Sequence, residues 1–353
     1  MDGLDDITRP VERERTEIAK LGEFGLIEHL TAGNTLNQAT TVLGPGDDAA
    51  VLHYGEDKDI LLSTDLLLEG IHFDLSYVPL KHLGYKAAVV NFSDICAMNG
   101  IPSQLTVSVG ISKRFSVEDM EELYSGIKIA CKGYGVDLIG GDTSASLTGL
   151  CLCLTCTGEV AKGQAVLRSG AKVNDLICVS GNLGAAYMGL QLLEREKLVY
   201  EGQQDFQPDF AGKEYLLQRQ LRPEARKDII EKLAQKKIRP TAMIDVSDGL
   251  SSDLLHICKQ SNCGCRIFED KLPIDYQTAS LAEEMNMNLS TAALHGGEDY
   301  ELLFTVPLEL HETIENWSDV RIIGYICHEQ DGRKLITRDN AEFDIIAQGW
   351  KMT

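Results

Sequence analysis

Residues 243–254 read Met-Ile-Asp-Val-Ser-Asp-Gly-Leu-Ser-Ser-Asp-Leu, and residues 295–304 read His-Gly-Gly-Glu-Asp-Tyr-Glu-Leu-Leu-Phe. Each sets acidic residues against the end of an apolar, strand-forming run and beside Gly or Ser: Asp245 and Asp248 in the first, Glu298 and Asp299 in the second. Taken singly, such an Asp is a helix N-cap or a turn residue. The pattern recurs in GPGDDAAVL (Asp47, Asp48), LLSTDLLLEGIHF (Asp65), VVNFSDICAMNG (Asp94) and LIGGDTS (Asp142). Carboxylates flanked by Val, Ile and Leu are costly to desolvate unless cations or hydrogen bonds hold them. As a set they therefore predict a site rather than a series of turns. Hard oxygen donors with Ser and Thr among them point to magnesium rather than zinc, and several Asp around one groove imply a nucleotide polyphosphate.

Outward from these stretches, strands and helices alternate. After the turn GPGDD come the strands AAVLH and DILLSTDLLL, then the helical LKHLGYKAAVVNFSDICAMNG, which ends at Gly100. LTVSVGI alternates as a strand. Ser116 is a helix N-cap, with Val117, Met120, Leu123, Tyr124, Ile127 and Cys131 at helical spacing until Gly133 and Gly135 stop the helix. VDLIGGD and DLICVSG read as strands, and LGAAYMGLQLLERE reads as an amphipathic helix. PEARKDIIEKLAQKK reads as a helix with Pro223 near its start. TEIAKLGEFGLIEHL is helix-like, and YEGQQDFQPDFAGKEY is a polar surface excursion. This alternation predicts an α/β (α+β) fold. A chain of 353 residues exceeds the usual single core, so two domains are expected, 23–160 and 161–353, after an N-terminal extension over 1–22.

Charge narrows the function. With 54 acidic against 33 basic residues and a net charge of -21, the chain lacks the basic surface that nucleic acid demands. No apolar run is long enough for a membrane helix, and the first residues lack a signal core, so a cytoplasmic protein is expected. The ten cysteines are scattered, without zinc spacing; Cys151, Cys153 and Cys156 lie in an alternating strand. There is no G-x-x-x-x-G-K-[ST] and no protein-kinase H-R-D or D-F-G. The loose G-x-G-x-x-A at Gly44–Ala49 carries two carboxylates where a dinucleotide fold would place pyrophosphate, and a strand follows it.

In their order, GDDAAV, STD with a downstream G-x-H-F, NFSDICAMNG, GGDTS, IDVSDGL and GGEDYEL resemble the thiamine-monophosphate kinases, of the aminoimidazole-ribonucleotide-synthetase-like superfamily. The resemblance runs from about Glu23 to Trp350. It implies two α/β domains, a homodimer formed through N-terminal strands, and ATP at the domain and subunit junction. Carried over by position, Asp48, Ser63, Thr64, Asp65, Asp94, Asp142, Asp245 and Asp248 resemble the sites of several Mg²⁺ ions. Gly141, Asp142, Arg168 and Ser247 resemble ATP contacts, and His72, Glu298 and Trp350 resemble contacts to thiamine monophosphate. The family often carries an Arg two or three residues beyond GGDT; here Ser144, Ala145 and Ser146 follow.

The implied activity is ATP-dependent phosphorylation of thiamine monophosphate to the diphosphate. The acceptor's phosphate has a second pKa of about 6 and is already anionic at neutral pH, so no catalytic base is expected and transfer is direct and in line. His72 stands between a substrate contact and a structural histidine. Trp350 stands between a platform for the cationic rings of thiamine and an anchor for the chain end. The alternatives are another ATP-using member of the superfamily, such as aminoimidazole ribonucleotide synthetase, or a non-catalytic magnesium–nucleotide binder. Selenophosphate synthetase would need a reactive Cys near the N-terminus, and none precedes Cys96.

Overall fold

The computed structural model describes residues 38–202 and 210–347, together with Gly25 and Glu28. Most of the expected N-terminal helix, residues 203–209 of the polar excursion and Trp350 lie outside the described residues.

The first half forms a six-stranded sheet in the order β1-β2-β3-β6-β4-β5. Its strands are β1 (Thr41–Leu43), β2 (Ala50–Leu52), β3 (Lys58–Leu68), β4 (Ile101–Ile111), β5 (Asp137–Ala145) and β6 (Cys151–Ala161). Neighbours are antiparallel except β4 and β5, which run parallel. Two helices, α1 (Leu80–Ala97) and α2 (Val117–Tyr134), bury apolar faces in the core beneath it. They approach closely because two crossing positions lack a Cβ. A Cβ on Gly84 would lie 2.0 Å from the Leu123 carbonyl oxygen, and one on Gly126 would lie 1.9 Å from that of Lys81.

The second half forms a seven-stranded sheet, β13-β12-β9-β11-β7-β10-β8. Its members are β7 (Leu176–Ser180), β8 (Ala242–Asp245), β9 (Cys263–Phe268), β10 (Leu302–Val306), β11 (Val320–His328), β12 (Arg333–Ile336) and β13 (Glu342–Asp344). The helices of this half are α3 (Ala185–Gly202), α4 (Glu214–Leu221), α5 (Lys227–Lys236), α6 (Leu250–Ser261), α7 (Tyr276–Glu284), α8 (Leu289–His295) and the short α9 (His311–Glu315). Helix α1 is buried on nearly every side, with Phe92, Ser93, Ile95 and Cys96 inaccessible. It touches β3 and β6 of one sheet and β8 of the other. One continuous core joins the halves, running from Leu61 and Phe92 to Leu176, Ile229 and Phe304.

Three local readings change. The Ser116 cap is present as a full capping box with Asp119, but only Gly135, at φ 73°, ends α2; Gly133 lies inside it. Helix α5 begins at Lys227, four residues beyond Pro223, because the Arg226 guanidinium is drawn to Asp228 and to the buried Glu301. Strand β5 runs through GGDTSA to Ala145 instead of ending at Asp142, so Asp142 stands within an edge strand.

Candidate active site

The site is built where α1 packs against β3 of one sheet and the end of β8 of the other. On β3 the two-residue period separates the S-T-D triplet: Ser63 and Asp65 face α1, whereas Thr64 faces outward and is exposed. The Ser63 hydroxyl donates to Asp94 on α1. One residue earlier on that helix, the buried Ser93 hydroxyl donates to Asp245 Oδ2 at 2.6 Å, tying α1 to the end of β8. Asp48 arrives from the loop before β2. Carboxylate oxygens of Asp48, Asp94 and Asp245 then lie within 4.8 Å of one another. Among the described residues these three form the one such group suited to a metal ion.

Assembling these charges without cations is unfavourable. Two full charges 4.8 Å apart repel by ~3 kcal/mol at an effective dielectric of about 20. The titration behaviour reflects this. Burial, then the proximity of Asp48, pushes Asp245 up to about 7. Burial raises Asp94 well above the usual carboxylate range, with Asp65, Asp245 and Asp48 adding to the effect. Burial alone carries Asp65 to about 6, and its Oδ2 is enclosed with no hydrogen-bond partner among the described residues. Asp47, buried beside Asp48, is pushed up to about 7.

Arg168 is the protein's own counter-ion. Its Nη2 donates to Asp48 Oδ1 at 2.7 Å and its Nε to Asp48 Oδ2 at 3.2 Å, while its main-chain N–H donates to Asp47 Oδ2 at 3.1 Å. A single guanidinium cannot neutralise four clustered carboxylates. The donor set is all oxygen, with an orphaned carboxylate atom of Asp65 beside it. It fits a hard divalent cation such as magnesium and offers nothing to a soft one.

The two stretches that open the sequence argument meet beside this cluster. The Glu298 N–H donates to the Ser247 carbonyl at 2.8 Å and the Tyr300 N–H to the Val246 carbonyl at 2.9 Å. Glu298 and Tyr300 both adopt left-handed backbone, at φ 56° and 51°, which is rare for residues with side chains. Beneath them Glu301 is buried against Arg219, at 2.9 Å, and Arg226. Asp299 accepts the Gly184 N–H at 2.7 Å. Asp248 and Ser247 lie in the turn between β8 and α6, beside the buried Asp253, which accepts the Gly249 N–H at 3.1 Å.

Four predicted residues, Thr64, Gly141, Asp142 and His72, lie away from the carboxylate cluster. The Thr64 hydroxyl donates to the Leu154 carbonyl at 2.9 Å and meets Thr155 Oγ1 at 3.0 Å, on the outer face of the sheet and away from the carboxylates. Gly141 is three strands from Asp65, in the row Asp65–Leu154–Val107–Gly141, or ~14 Å at the usual strand spacing. Asp142 pairs with Ser108 and shares the outer face with the exposed Leu66. His72 lies past the end of β3, where its Nδ1 accepts the Leu68 N–H at 2.9 Å. Sequence reasoning missed Ser93, whose partner is 152 residues away, and also Lys86 and Gln220, which grip Glu298. No local signal marks these three.

Comparison with known proteins bears on the family of the chain. Residues 46–160 match the family model "AIR synthase related protein, N-terminal domain" and residues 172–335 match its C-terminal counterpart. The thiamine-monophosphate kinase of Bacillus subtilis is 33% identical over 94% of this chain and 99% of its own length. That of Aquifex aeolicus is 37% identical over 83% of this chain and 88% of its own. A solved structure of AaThiL complexed with AMPPCP and TMP superposes with a TM-score of 0.78 at 32% identity, over 97% of this chain and all of the other. The carboxylate cluster, the two motif turns that meet beside it and a resemblance that spans both halves lead to one assignment: the chain belongs to the thiamine-monophosphate kinases, phosphotransferases of the AIR synthase related family.

Proposed function

We propose that this protein transfers the terminal phosphoryl group of ATP directly to the phosphate of thiamine monophosphate, releasing ADP and thiamine diphosphate. The observation that carries the reading is the Asp48–Asp94–Asp245 cluster with the unpartnered Asp65 oxygen beside it. The chain's relatives supply the substrates: they are thiamine-monophosphate kinases, and one is captured with AMPPCP, a non-hydrolysable ATP analogue, and TMP.

In this reading Asp48, Asp65, Asp94, Asp245 and Asp248 hold magnesium ions. Bound there, the ions neutralise the repulsion between two phosphorylated substrates. Ser63 and Ser93 fix the rotamers of Asp94 and Asp245, so the carboxylates are aimed before substrate arrives. Arg168 and Ser247 would contact the nucleotide beside the ions that those carboxylates would hold. His72, Glu298 and Trp350 receive the thiamine moiety. No residue needs to remove a proton, since the acceptor oxygen is anionic at neutral pH.

Thr64, Gly141 and Asp142 require a second subunit in this scheme. Thr64 and Asp142 face away from the cluster of their own chain, and the outer sheet face around them exposes Leu66 at 52% and Ile139 at 63%. A homodimer across that face covers these side chains and brings Asp142 to the nucleotide of the other protomer. The domain division is proposed at about residue 160, with residues 1–22 an extension. No helix among the described residues is long and apolar enough to cross a membrane. All ten thiols are free, which fits the reducing cytoplasm.

A coupled assay of ADP release tests the proposal, run over a panel of phosphorylated acceptors with Mg²⁺ or with EDTA. Turnover confined to thiamine monophosphate and Mg²⁺ is expected. Binding of ATP without ADP release on any acceptor would assign a sensor instead, and turnover with a different acceptor would move the protein elsewhere in the superfamily.

A further inference from the structure

Glu298 is held more tightly than a simple surface contact requires. Its Oε1 lies 2.8 Å from Lys86 Nζ, and its Oε2 accepts a hydrogen bond from Gln220 Nε2 at 2.9 Å. Lys86 Nζ also donates to the Gln220 main-chain carbonyl at 3.1 Å, which closes a triangle of α1, α4 and the 296–301 turn. Lys86 is only 7% exposed and Gln220 5%, while Glu298 keeps partial access to solvent. The Gln220 amide is turned toward Glu298 even though this leaves its Oε1 buried without a partner among the described residues. The Glu298 backbone is itself left-handed. A strained main chain, a buried ammonium and an amide with an unsatisfied oxygen all converge on one carboxylate.

Helix α1 links this carboxylate to the metal cluster. Lys86 and Asp94 are eight residues apart and project from related faces of that helix, ~12 Å along its axis. Asp94 belongs to the acidic cluster and Lys86 grips Glu298, so one rigid, buried helix spaces the two ends of the site. A carboxylate offers about four acceptor positions. The protein's own donors use one on each oxygen, and those remaining suit an amine N–H or a cationic ring.

We infer that Lys86 and Gln220 are positioning residues that hold Glu298 in a fixed orientation for the amine-bearing, cationic ring portion of the phosphate acceptor. Helix α1 thereby sets the distance between that ring and the reacting phosphate. The inference rests on the proposed kinase reading and adds to it how the acceptor is placed.

The test compares the full-length wild type with Lys86→Met, Gln220→Leu, Glu298→Gln and the Lys86→Met/Glu298→Gln double variant. KM is measured separately for thiamine monophosphate and for ATP, and each variant is melted. Lys86→Met keeps the packed stem and removes the charge. It should raise KM for thiamine monophosphate about tenfold and leave KM for ATP within about twofold, and Gln220→Leu should show the same split more weakly. In the Glu298→Gln background, Lys86→Met should add little, because both changes remove one interaction. An undiminished Lys86→Met effect in that background would mean that Lys86 meets the acceptor phosphate directly, and would overturn the inference. Equal rises in both KM values, or lowered melting temperatures with both KM values unchanged, would also overturn it. If Lys86→Met does not fold, the Gln220→Leu split decides by the same criteria. A wild type that does not turn over thiamine monophosphate would refute the kinase reading itself, whatever the variants do.

Discussion

Replacing Asp94 by Asn should make the metal-free protein more stable while destroying its activity. The side chain keeps its shape and can still accept from the Ser63 hydroxyl, but a negative charge leaves a cluster whose oxygens lie within 4.8 Å. At ~3 kcal/mol per fully charged pair, offset by Arg168 and by partial protonation, the relief at pH 8 is on the order of 2–4 kcal/mol. Unfolding entropy of about 2.1 cal/mol/K per residue over 353 residues is ~0.7 kcal/mol per degree, so Tm should rise by ~3–5 °C. The pH dependence has a definite sign. Asp245 and Asp47 titrate near 7 and Asp65 near 6 when folded, against 3.8 when unfolded. Between those values the folded chain holds more protons than the unfolded one, so stability falls as pH rises from about 4 to 7. The assay is thermal unfolding from pH 5 to pH 8, in EDTA and in Mg²⁺. In EDTA the wild type should lose stability toward pH 8 more steeply than Asp94→Asn. Mg²⁺ should restore the wild type and have little effect on the variant, whose turnover should fall on the order of 10²-fold or more. A variant that melts no higher than wild type at pH 8 in EDTA, a wild type indifferent to Mg²⁺, or near-normal turnover would refute the reasoning.

Asp142→Asn and Asp94→Asn should each be inactive alone, yet mixed and allowed to exchange subunits they should recover about a quarter of wild-type activity, since half of the dimers carry one intact site. Failure to recover, or a light-scattering mass equal to the single-chain 38.8 kDa, would argue against an intersubunit site. The acidic limb of kcat/KM should lie near pH 6, where the acceptor phosphate protonates, and should persist in His72→Asn. A limb that vanishes in that variant would make His72 a proton carrier. Trp350→Ala should raise KM for thiamine monophosphate several-fold with Tm and the KM for ATP nearly unchanged; a lower Tm with an unchanged KM would make Trp350 an anchor.

The sequence by itself determined the fold class and the chemistry of the donors. Two periods, 2.0 and 3.6, alternate along the chain and place the strands and helices that carry most of the motifs, and six acidic stretches beside apolar runs point to hard-cation chemistry before any packing is known. What it could not determine was which of those carboxylates meet. The strand period of two separates Asp65 from Thr64, and the continuation of β5 to Ala145 turns Asp142 outward, so neighbours in a motif become strangers in the site. Conversely, Ser93 and Asp245, or Lys86 and Glu298, are strangers in the chain that touch. Such pairs depend on how α1 is wedged between two sheets. That placement follows from side-chain packing summed over both halves of the core, which no short stretch of residues encodes.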